Sequence, residues 1–330
     1  LDLLVHGVAD RRTGNATDPG AYAAVMHREQ ARLTFTDVPY NVPITGHVTK
    51  GKHREFAMGS GEMSAEEFTA LLEKSLGHAA SRARSGTIAY VCMDWRHIGE
   101  LLEAGQKVFS EFKNLCVWNK GSGGLGSFYR SQHELVFVWK VGKGGHVNNF
   151  GLGAFGRYRT NVWDYPGINS FGNDRDSQLA LHPTVKPVAM VQDAILDCSP
   201  QSGLILDCFA GAGSTLIAAH RAKRHARLIE LDPAYCDLII QRFERMTGES
   251  AQLINTGQSS SEVAAQRLAG ARVPDRFESQ PVTFFQQVHR GYQLRCEAAP
   301  QRFVQIPADQ PREAVWASVE SALRDRGVLV

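Results

Sequence analysis

The sequence has few cysteines, no C-x-x-C pair and no long hydrophobic run. Six cysteines are spread over 330 residues, several inside apolar segments, so neither a disulfide framework nor a zinc site is predicted and no metal is expected. No apolar run reaches the roughly 18 residues that a membrane-spanning helix needs. The first residues also lack the charged and then apolar pattern of an export signal, so we expect a cytoplasmic protein without a membrane partner.

A strong net charge is also missing. The chain carries a formal net charge of +2, with 36 Lys and Arg against 34 Asp and Glu. The charge is uneven, because residues 111–160 contain seven basic and two acidic side chains. Aromatic residues stand between these charges, namely Tyr129, Trp139, Phe150, Phe155 and Tyr158. This pattern suits a polyanion with stackable bases, although a solvated surface over buried aromatics explains the composition equally well.

Short apolar segments alternate with helical patterns along the first 250 residues. The apolar segments are residues 3–5, 33–35, 87–92, 115–118, 135–139, 204–206 and 228–231. The helical patterns cover residues 22–29, 64–76, 98–104, 187–197, 214–222 and 233–246. This alternation predicts an α/β fold with a doubly wound, mostly parallel sheet. The link between 115–118 and 135–139 is rich in Gly and lacks a helix pattern, which predicts an antiparallel hairpin at the sheet edge.

Three stretches follow neither pattern. Residues 45–62 form a long polar loop, and loops of that length in compact enzymes are usually functional or mobile. Residues 141–181 are rich in Gly and Asn with aromatics and arginines, which is typical of an inserted recognition region. From residue 251 onward Lys is absent, and this extension ends in one predicted helix, 313–326. The sequence assigns the extension no function.

The most informative chemical motif is Asp37-Val38-Pro39-Tyr40, directly after the apolar segment 33–35. An exocyclic amine of a nucleobase is a poor nucleophile because its lone pair is delocalised into the ring. Asp37, with the carbonyl of Val38 or Pro39, can accept the amine hydrogens, and Tyr40 can stack on the base. Pro39 restricts the backbone, so these carbonyls do not turn into a helix. Taken alone, four residues are explained more easily by an ordinary strand-to-loop turn.

A second motif, residues 204–215, has the pattern of a strand, a glycine turn and a helix start. Gly211 and Gly213 would let the backbone pass close under an adenosine-containing ligand. Ser214 or Thr215 could cap the helix that follows. A purely structural glycine turn is the alternative.

Glu230 strengthens the second motif. It ends the next apolar strand, 17 residues after Gly213, where a carboxylate can bind two ribose hydroxyls. No Lys follows the glycines as in a Walker loop, and Leu216 stands where a dinucleotide site has a third glycine. The motif therefore suits S-adenosylmethionine better than NAD.

A third segment, residues 182–187, lies between the two motifs and leads into a predicted helix. Pro183 and Pro187 favour an extended entry to that helix. Thr184 and Lys186 could contact the carboxylate of the cofactor, although a plain helix lead-in explains the segment almost as well.

Together these segments resemble the amino-methylating DNA methyltransferases of the β class, over roughly residues 1–246. Residues 37–41 match the family's catalytic motif, 182–187 its proline-lysine motif, 207–215 its methionine-binding loop and 229–233 its ribose-binding strand. Residues 31–64 look like a phage or prophage-type subgroup, some of whose members carry a ParB-like domain upstream. The cofactor residues that the resemblance implies are Asp207, Phe209, Gly211, Gly213, Ser214, Thr215, Glu230, Thr184 and Lys186.

The resemblance implies a seven-stranded sheet whose hairpin strand is antiparallel. It also implies a catalytic domain over residues 1–250, with the recognition region inserted at 141–181 and an extension at 251–330. S-adenosylmethionine is then the methyl donor, double-stranded DNA the partner, and a flipped base the acceptor. Aspartate at position 37 favours adenine N6 over cytosine N4. The predicted DNA contacts are Lys50, Lys52 and Arg54 on phosphate, and Arg130, Asn148, Asn149, Arg157 and Arg159 in the basic and recognition regions.

Two positions depart from the family pattern. Val38 stands where proline is usual, but a main-chain carbonyl is available from either residue, so activity is expected to survive. Val8 stands where members often have Asp near the cofactor. Other functions consistent with the sequence are a cytosine-N4 or RNA amino-methyltransferase, an inactive DNA-binding module of the same fold, and an NAD-linked oxidoreductase. The sequence identifies neither a restriction partner nor an oligomeric state.

Overall fold

The computed structural model describes residues 4–6, 14–42, 59–124, 128–167 and 185–249, and beyond these residues 251, 262, 299, 303–304 and 312–324. The chain divides into two compact units, Leu1–Gln266 and Arg267–Val330. Within the described ranges, no helix is long and apolar enough to cross a membrane. The same ranges contain no group of three or more His, Cys, Asp or Glu residues placed to hold a metal ion.

One sheet organises the first unit. Its strands are β1 (Leu4–His6), β2 (Ala31–Asp37), β3 (Ala83–Met93), β4 (Glu111–Asn119), β5 (His133–Lys140), β6 (Val162–Asp164), β7 (Leu204–Asp207) and β8 (His225–Ile229). They lie in the order β1-β8-β7-β2-β3-β5-β4-β6. β5 runs antiparallel to β3 and β4, and the other pairings are parallel.

The predicted α/β class with a mostly parallel sheet and one antiparallel hairpin is confirmed. The described sheet has eight strands rather than seven, because Val162–Asp164 pairs in parallel with β4. The hairpin strands therefore lie one place inside the sheet edge, and β6 is the edge strand.

Seven helices are described. They are α1 (Pro19–Met26), α2 (Ala65–Ser81), α3 (Ile98–Val108), α4 (Val188–Cys198), α5 (Ser214–Arg221), α6 (Pro233–Thr247) and, in the second unit, α7 (Arg312–Arg324). Side chains that accept backbone hydrogen bonds mark several starts, as Asp18 does for α1 and Asp232 for α6. Ser64 and Glu67 form a reciprocal capping box at the start of α2, which satisfies two donors that the helix leaves open.

Helices cover both faces of the sheet. Alternate residues of β3 point to opposite sides, so Tyr90 packs in one core with residues of α4 and α5, and Val91 packs in the other with residues of α2 and α3. Tyr90 is 4% exposed and Val91 is fully buried. A strand covered on both faces reads as a continuous apolar run, as residues 87–92 do.

The strand order decides which loops meet. β2 and β7 are parallel neighbours with Leu33 opposite Ile205, although far apart in sequence, and β7 pairs next with β8. Their carboxyl ends therefore lie along one edge of the sheet, where α/β folds bind ligands. The antiparallel β5 begins at this edge, because Leu135, near its start, pairs with Met93 at the end of β3.

Candidate active site

A cleft lies at this edge of the sheet. Its volume is about 1240 Å³ when the open mouth is included, which is ample for a nucleoside-sized ligand together with a base. The described lining residues that the sequence predicted are Asp37, Val38, Pro39, Tyr40, Lys186, Asp207, Phe209, Gly211, Ser214, Thr215 and Glu230. The tertiary structure thus brings the tetrapeptide and the glycine motif into one cleft.

The Glu230 carboxylate is held in place by the backbone around it. One of its oxygens, Oε2, accepts a hydrogen bond from Gly211 N at 2.8 Å, and Oε1 accepts one from Asp232 N at 2.9 Å. Burial raises the pKa of Glu230 to about 6, against the effect of these backbone N–H groups. Each carboxylate oxygen can accept more than one hydrogen bond, so the group can still receive hydroxyl donors from a ligand.

Asp207 and the start of α5 form the floor of this half of the cleft. Thr215 Oγ1 donates to Asp207 Oδ2 at 2.7 Å, and Phe209 N donates to Asp207 Oδ1 at 3.1 Å. Burial raises the pKa of Asp207 to about 7. Gly213 has a φ of +75°, and a Cβ there would lie 2.8 Å from Ile239 Cγ2. The glycine is therefore required both by its backbone conformation and by its close neighbour.

The tetrapeptide belongs to a buried network of charges. Lys186 Nζ lies 2.7 Å from Asp37 Oδ2 and 3.0 Å from Glu134 Oε2. Tyr40 Oη donates towards Asp37 Oδ1 at 2.9 Å and Glu134 Oε2 at 3.0 Å. Lys120 Nζ lies 3.2 Å from Glu134 Oε1. The Lys186 side chain is only 5% exposed, so its charge is balanced by these carboxylates rather than by water.

The charges in this network shift one another's pKa values. Burial raises the pKa of Asp37; Lys186 opposes this shift and Glu134 adds to it. Burial raises the pKa of Glu134, but the positive charges of Lys186 and Lys120 lower it by more, so that its pKa is about 2. Burial lowers the pKa of Lys186, whereas the charges of Asp37 and Glu134 raise it above the usual lysine value. The network therefore holds an ionised Glu134 and a protonated Lys186.

The structure gives two of these residues, Lys186 and Glu134, positions that the sequence did not predict. Lys186 was predicted to contact the cofactor, whereas its ammonium group lies on Asp37 and Glu134. Its carbonyl accepts a hydrogen bond from Ser214 Oγ at 2.7 Å, which joins the segment to the glycine motif. Glu134 was not predicted as a site residue. The sequence did contain an indication of its place. Glu134 stands at the start of a strand predicted to be antiparallel, and such a strand begins at the edge of the sheet where its parallel neighbours end.

The predicted recognition residues lie elsewhere. Arg157 and Arg159 bind Asp197 through contacts of 2.8 Å each, and Asp197 is 2% exposed near the end of α4. Asn149 Nδ2 donates to the carbonyls of Leu196 and Ser199. α4 starts just after Lys186, at the cleft, and is eleven residues long. The end of α4 that binds Asn149, Arg157 and Arg159 is therefore roughly 16 Å from its start.

The prediction that Arg157, Arg159 and Asn149 contact DNA stays a prediction. In the structure their polar groups anchor the inserted region to α4 and the residue that follows it. Asn148 Oδ1 accepts hydrogen bonds from Phe150 N and Gly151 N, and it stands exposed at the surface, as does Arg130. Lys50, Lys52, Arg54 and Thr184 lie outside the described residues.

Fold and cleft together define an α/β enzyme that binds its ligands across the carboxyl ends of parallel strands. The model of the DNA methylase family, the N6/N4 amino-methylating type, matches residues 31–241, which contain most of the cleft. The chain belongs to this family. The match confirms the predicted amino DNA methyltransferase class and its cofactor, S-adenosylmethionine.

Individual relatives are consistent with this assignment. The curated type II methyltransferase M.ScaI of Streptomyces caespitosus is 26% identical over 247 residues, which is 64% of this chain and 74% of that protein. The structure of an M1.HpyAVI-SAM complex has a TM-score of 0.54 at 16% identity and covers 73% of this chain and 98% of that one. The PvuII cytosine-N4-specific DNA methyltransferase has a TM-score of 0.53 at 14% identity, covering 77% and 90%. At these identities, the two structures show a shared fold.

A second group of relatives matches a short segment. Thymidylate kinase of Albidiferax ferrireducens is 58% identical over 67 residues, and that of Paracidovorax citrulli is 59% identical over 68 residues. These segments are 20% and 21% of this chain, and the chain spans 31% of the length of each kinase.

Proposed function

We propose that this chain transfers a methyl group from S-adenosylmethionine to the exocyclic amino group of a base in double-stranded DNA, with adenine N6 as the acceptor. The observation that carries the proposal is the position of Asp37. Its carboxylate lies at the end of β2 in the same cleft as the glycine motif and Glu230. A proton acceptor and a nucleoside site are therefore placed for a reaction between two bound molecules.

The residues on the glycine side fit the cofactor. Glu230 is aimed by two backbone N–H groups, and an ionised carboxylate suits a pair of ribose hydroxyls. Gly211 lines the cleft without a side chain, and Gly213 lets the turn pack closely against Ile239. Asp207, Phe209, Ser214 and Thr215 line the same half, and Thr184 is assigned to the cofactor by its place in the sequence motif. The cofactor supplies an electrophilic methyl group on a sulfonium.

On the acceptor side, the protein draws on the hydrogens of the amine. Asp37 and the carbonyl of Val38 or Pro39 accept these hydrogen bonds, which returns electron density to the nitrogen. Nitrogen forms a bond to the methyl carbon as the carbon–sulfur bond breaks, with the electron pair going to sulfur. The nitrogen then loses one proton, and we assign Asp37 as the group that accepts it. Tyr40 offers a ring face for stacking against a base turned out of the duplex.

Adenine is favoured because the first residue of the tetrapeptide is an aspartate. Cytosine N4 is the second candidate, and it uses the same cleft and the same transfer chemistry. An RNA substrate is the third. Each of these acceptors carries an aromatic amine, so the choice between them depends on the base pocket and on contacts with the nucleic acid.

The DNA contacts that we propose divide into two groups. Lys50, Lys52 and Arg54 are assigned to phosphate, and phosphate contacts position a duplex without reading it. Arg130 and Asn148 are assigned to the duplex because both are exposed. The inserted region at 141–181 supplies sequence recognition while Arg157 and Arg159 hold it to α4.

Isotope-labelled S-adenosylmethionine and unmethylated duplex DNA test the proposal directly. After incubation and digestion to nucleosides, mass spectrometry identifies the labelled nucleoside, which we expect to be N6-methyladenine. Asp37→Ala should reduce transfer by about 10²- to 10⁴-fold, the range for loss of an acid–base group, with cofactor binding retained.

The outcomes separate the candidates. Label in N4-methylcytosine would keep the mechanism and change the base, and stronger labelling of a structured RNA in competition would change the substrate. Normal turnover by Asp37→Ala would remove Asp37 from the chemistry. No transfer despite cofactor binding would leave the inactive DNA-binding module.

We further propose that residues 1–250 form the catalytic domain and residues 251–330 an extension. The kinase-like segment of 67 or 68 residues is assigned to the extension. Only 30 residues precede the part matched by the DNA methylase model, which ends at residue 241. The part beyond residue 241 is therefore the longer uninterrupted stretch outside that match.

A further inference from the structure

The buried carboxylate of Glu134 has a role that the reaction outlined above does not assign. Glu134 stands at the start of β5 with a side chain that is 17% exposed. Every acceptor contact that Asp37 makes with a side chain is repeated at Glu134. The Tyr40 hydroxyl lies 2.9 Å from Asp37 and 3.0 Å from Glu134, and the Lys186 ammonium lies 2.7 and 3.0 Å from the same two carboxylates.

This duplication matters because Asp37 is already engaged. Its Oδ1 accepts from Tyr40 and its Oδ2 from Lys186. A carboxylate whose oxygens are bound to an ammonium and a hydroxyl is a weak acceptor for an arylamine. The hydroxyl of Tyr40 has one proton and therefore serves only one of its two acceptors at a time. Each Asp37 oxygen keeps a second acceptor position, but Asp37 accepts from a base amine more strongly once another acceptor takes the Lys186 ammonium and the Tyr40 hydroxyl.

We infer that Glu134 is a positioning residue that takes over the Lys186 ammonium and the Tyr40 hydroxyl, so that Asp37 can accept the amino hydrogens of the base. The inference rests on the proposed function, since it assumes that Asp37 is the acceptor. Glu134 acts through Lys186 and Tyr40 and does not touch the base.

The charges around Glu134 suit this role. Lys120 lies 3.2 Å from Oε1, while Lys186 and Tyr40 lie on Oε2. Glu134 therefore has an ammonium partner of its own and stays ionised when Lys186 moves. Its depressed pKa, about 2, keeps it available throughout the working pH range. The two lysines balance the two carboxylates, so a change of partner within the network leaves its total charge unaltered.

Removing the charge of Glu134 should strengthen the hold of Lys186 on Asp37. Around Asp37 the charged or titratable groups are Lys186, Glu134, Tyr40, Cys92 and Asp207. Glu134 raises the pKa of Asp37 and Lys186 lowers it. Without the negative charge of Glu134, the pKa of Asp37 falls. Asp37 is required in its ionised form, and activity is lost as the pH falls through its pKa, so this loss should move to lower pH.

The test is Glu134→Gln in the full chain, with kcat, the Kd for S-adenosylmethionine and the pH profile measured. We expect kcat to fall by roughly tenfold or more, the scale of a misplaced catalytic group. The Kd should stay within about twofold of the original value, because the role inferred for Glu134 is in the transfer step and not in cofactor binding. The acid limb of the profile should shift to lower pH, which a merely structural role would not cause.

Glu111→Gln is the matched control. Glu111 also bridges two lysines, Lys113 at 2.9 Å and Lys140 at 2.7 Å. It lies at the start of β4, whereas Glu134 on β5 pairs near the end of β4. The Glu111 substitution should leave kcat and the pH profile unchanged. Glu134→Asp keeps the charge and shortens the side chain, so it should recover part of kcat with the original acid limb. Should Glu134→Gln fail to fold, Glu134→Asp compared with Glu111→Asp tests the reach of the carboxylate instead: a lower kcat in Glu134→Asp alone supports the inference, and an unchanged kcat overturns it.

The inference and the proposed function fail in different ways. If the original chain methylates DNA and Asp37→Ala does not, then normal kcat and an unmoved acid limb in Glu134→Gln overturn the inference alone. A lower kcat with an unmoved acid limb also overturns it, because the charge of Glu134 then has no effect on Asp37. Full turnover by Asp37→Ala overturns the proposed function and the inference with it.

Discussion

At the scale of single residues, the cleft contains largely buried charges that stabilise one another through direct contacts. Lys186 is 5% exposed and contacts two carboxylates. Breaking a buried pair by removing one partner leaves an uncompensated charge, which typically costs about 3–5 kcal/mol. Stability and catalysis are therefore linked at Lys186, and a neutral substitution there reports on both. Variants that preserve the network are more informative about chemistry.

Glu230 supplies a pH-dependent prediction. Its pKa is raised to about 6 by burial, and the carboxylate accepts hydroxyl donors best when ionised. Affinity for S-adenosylmethionine should therefore weaken as the pH falls below about 6, by at most about tenfold per pH unit for one proton. Calorimetric titration between pH 5 and 8, values chosen to bracket that pKa, measures the effect.

The control for that measurement is Glu230→Gln, which should bind more weakly and lose the step near pH 6. Asp207, whose pKa is raised to about 7, is unchanged in this variant, so any step near pH 7 should remain. A step near pH 6 that persists in Glu230→Gln would assign the titration to another group.

At the scale of elements, α4 has two different ends. Its start follows Lys186 and the cleft, and its last turn binds the inserted region through Asp197. Tyr90 Oη, on β3, also donates to Cys198 Sγ at 3.1 Å, which fixes the same end to the sheet. The helix therefore joins the segment that carries Lys186, at its start, to the inserted region, at its end.

Two arginines of the basic stretch, Arg130 and Arg159, should respond differently to substitution. Arg159→Ala removes an anchor that is 18% exposed and should lower the free energy of unfolding by roughly 1.5–3 kcal/mol, the scale of a hydrogen bond to a charged group. Arg130→Ala should leave stability unchanged and weaken DNA binding with a smaller salt dependence.

Chemical denaturation and DNA binding at several salt concentrations, applied to both variants, test this pair. Should Arg159→Ala weaken DNA binding at full stability, Arg159 would be a DNA contact after all. Should Arg130→Ala destabilise the fold without affecting DNA, its proposed role at the duplex would be lost.

At the scale of the whole molecule, the chain divides into two compact units, Leu1–Gln266 and Arg267–Val330. The unit Leu1–Gln266 contains the sheet and the cleft. The sequence has no G-x-x-x-x-G-K-[ST] loop, the motif with which P-loop kinases bind phosphates. DNA methylation is the activity of the family to which the chain belongs, and the kinase-like segment is assigned no activity.

Truncation after Gln266 should preserve methyl transfer. The described lining residues of the cleft all lie before residue 236, so kcat on duplex DNA should stay within about twofold of that of the full chain. The same assay on Asp37→Ala in both lengths provides the background. A truncated chain that remains folded and binds S-adenosylmethionine but transfers no methyl group would show that the extension takes part in the reaction.

Local patterns predicted much of the fold. Segments 33–35, 87–92 and 204–206 were expected as strands and lie within observed strands, whereas the predicted segment 228–231 overlaps only the last two residues of β8. The short strand Val162–Asp164 was not expected, because three residues without an apolar run carry no periodic signal. Its pairing with β4 arises only once the hairpin is formed.

The sequence by itself determined the class of fold, the tetrapeptide and the glycine motif, since these depend on residues that are neighbours along the chain. The tertiary structure alone placed Lys186 on Asp37, because the two lie 149 residues apart. It also added Glu134, whose strand runs against its neighbours and therefore begins where theirs end. Arg157 and Arg159 were drawn to a buried aspartate for the same reason. Side-chain partners in a sheet depend on the order and direction of its strands, and these follow from packing of the whole chain rather than from any local pattern.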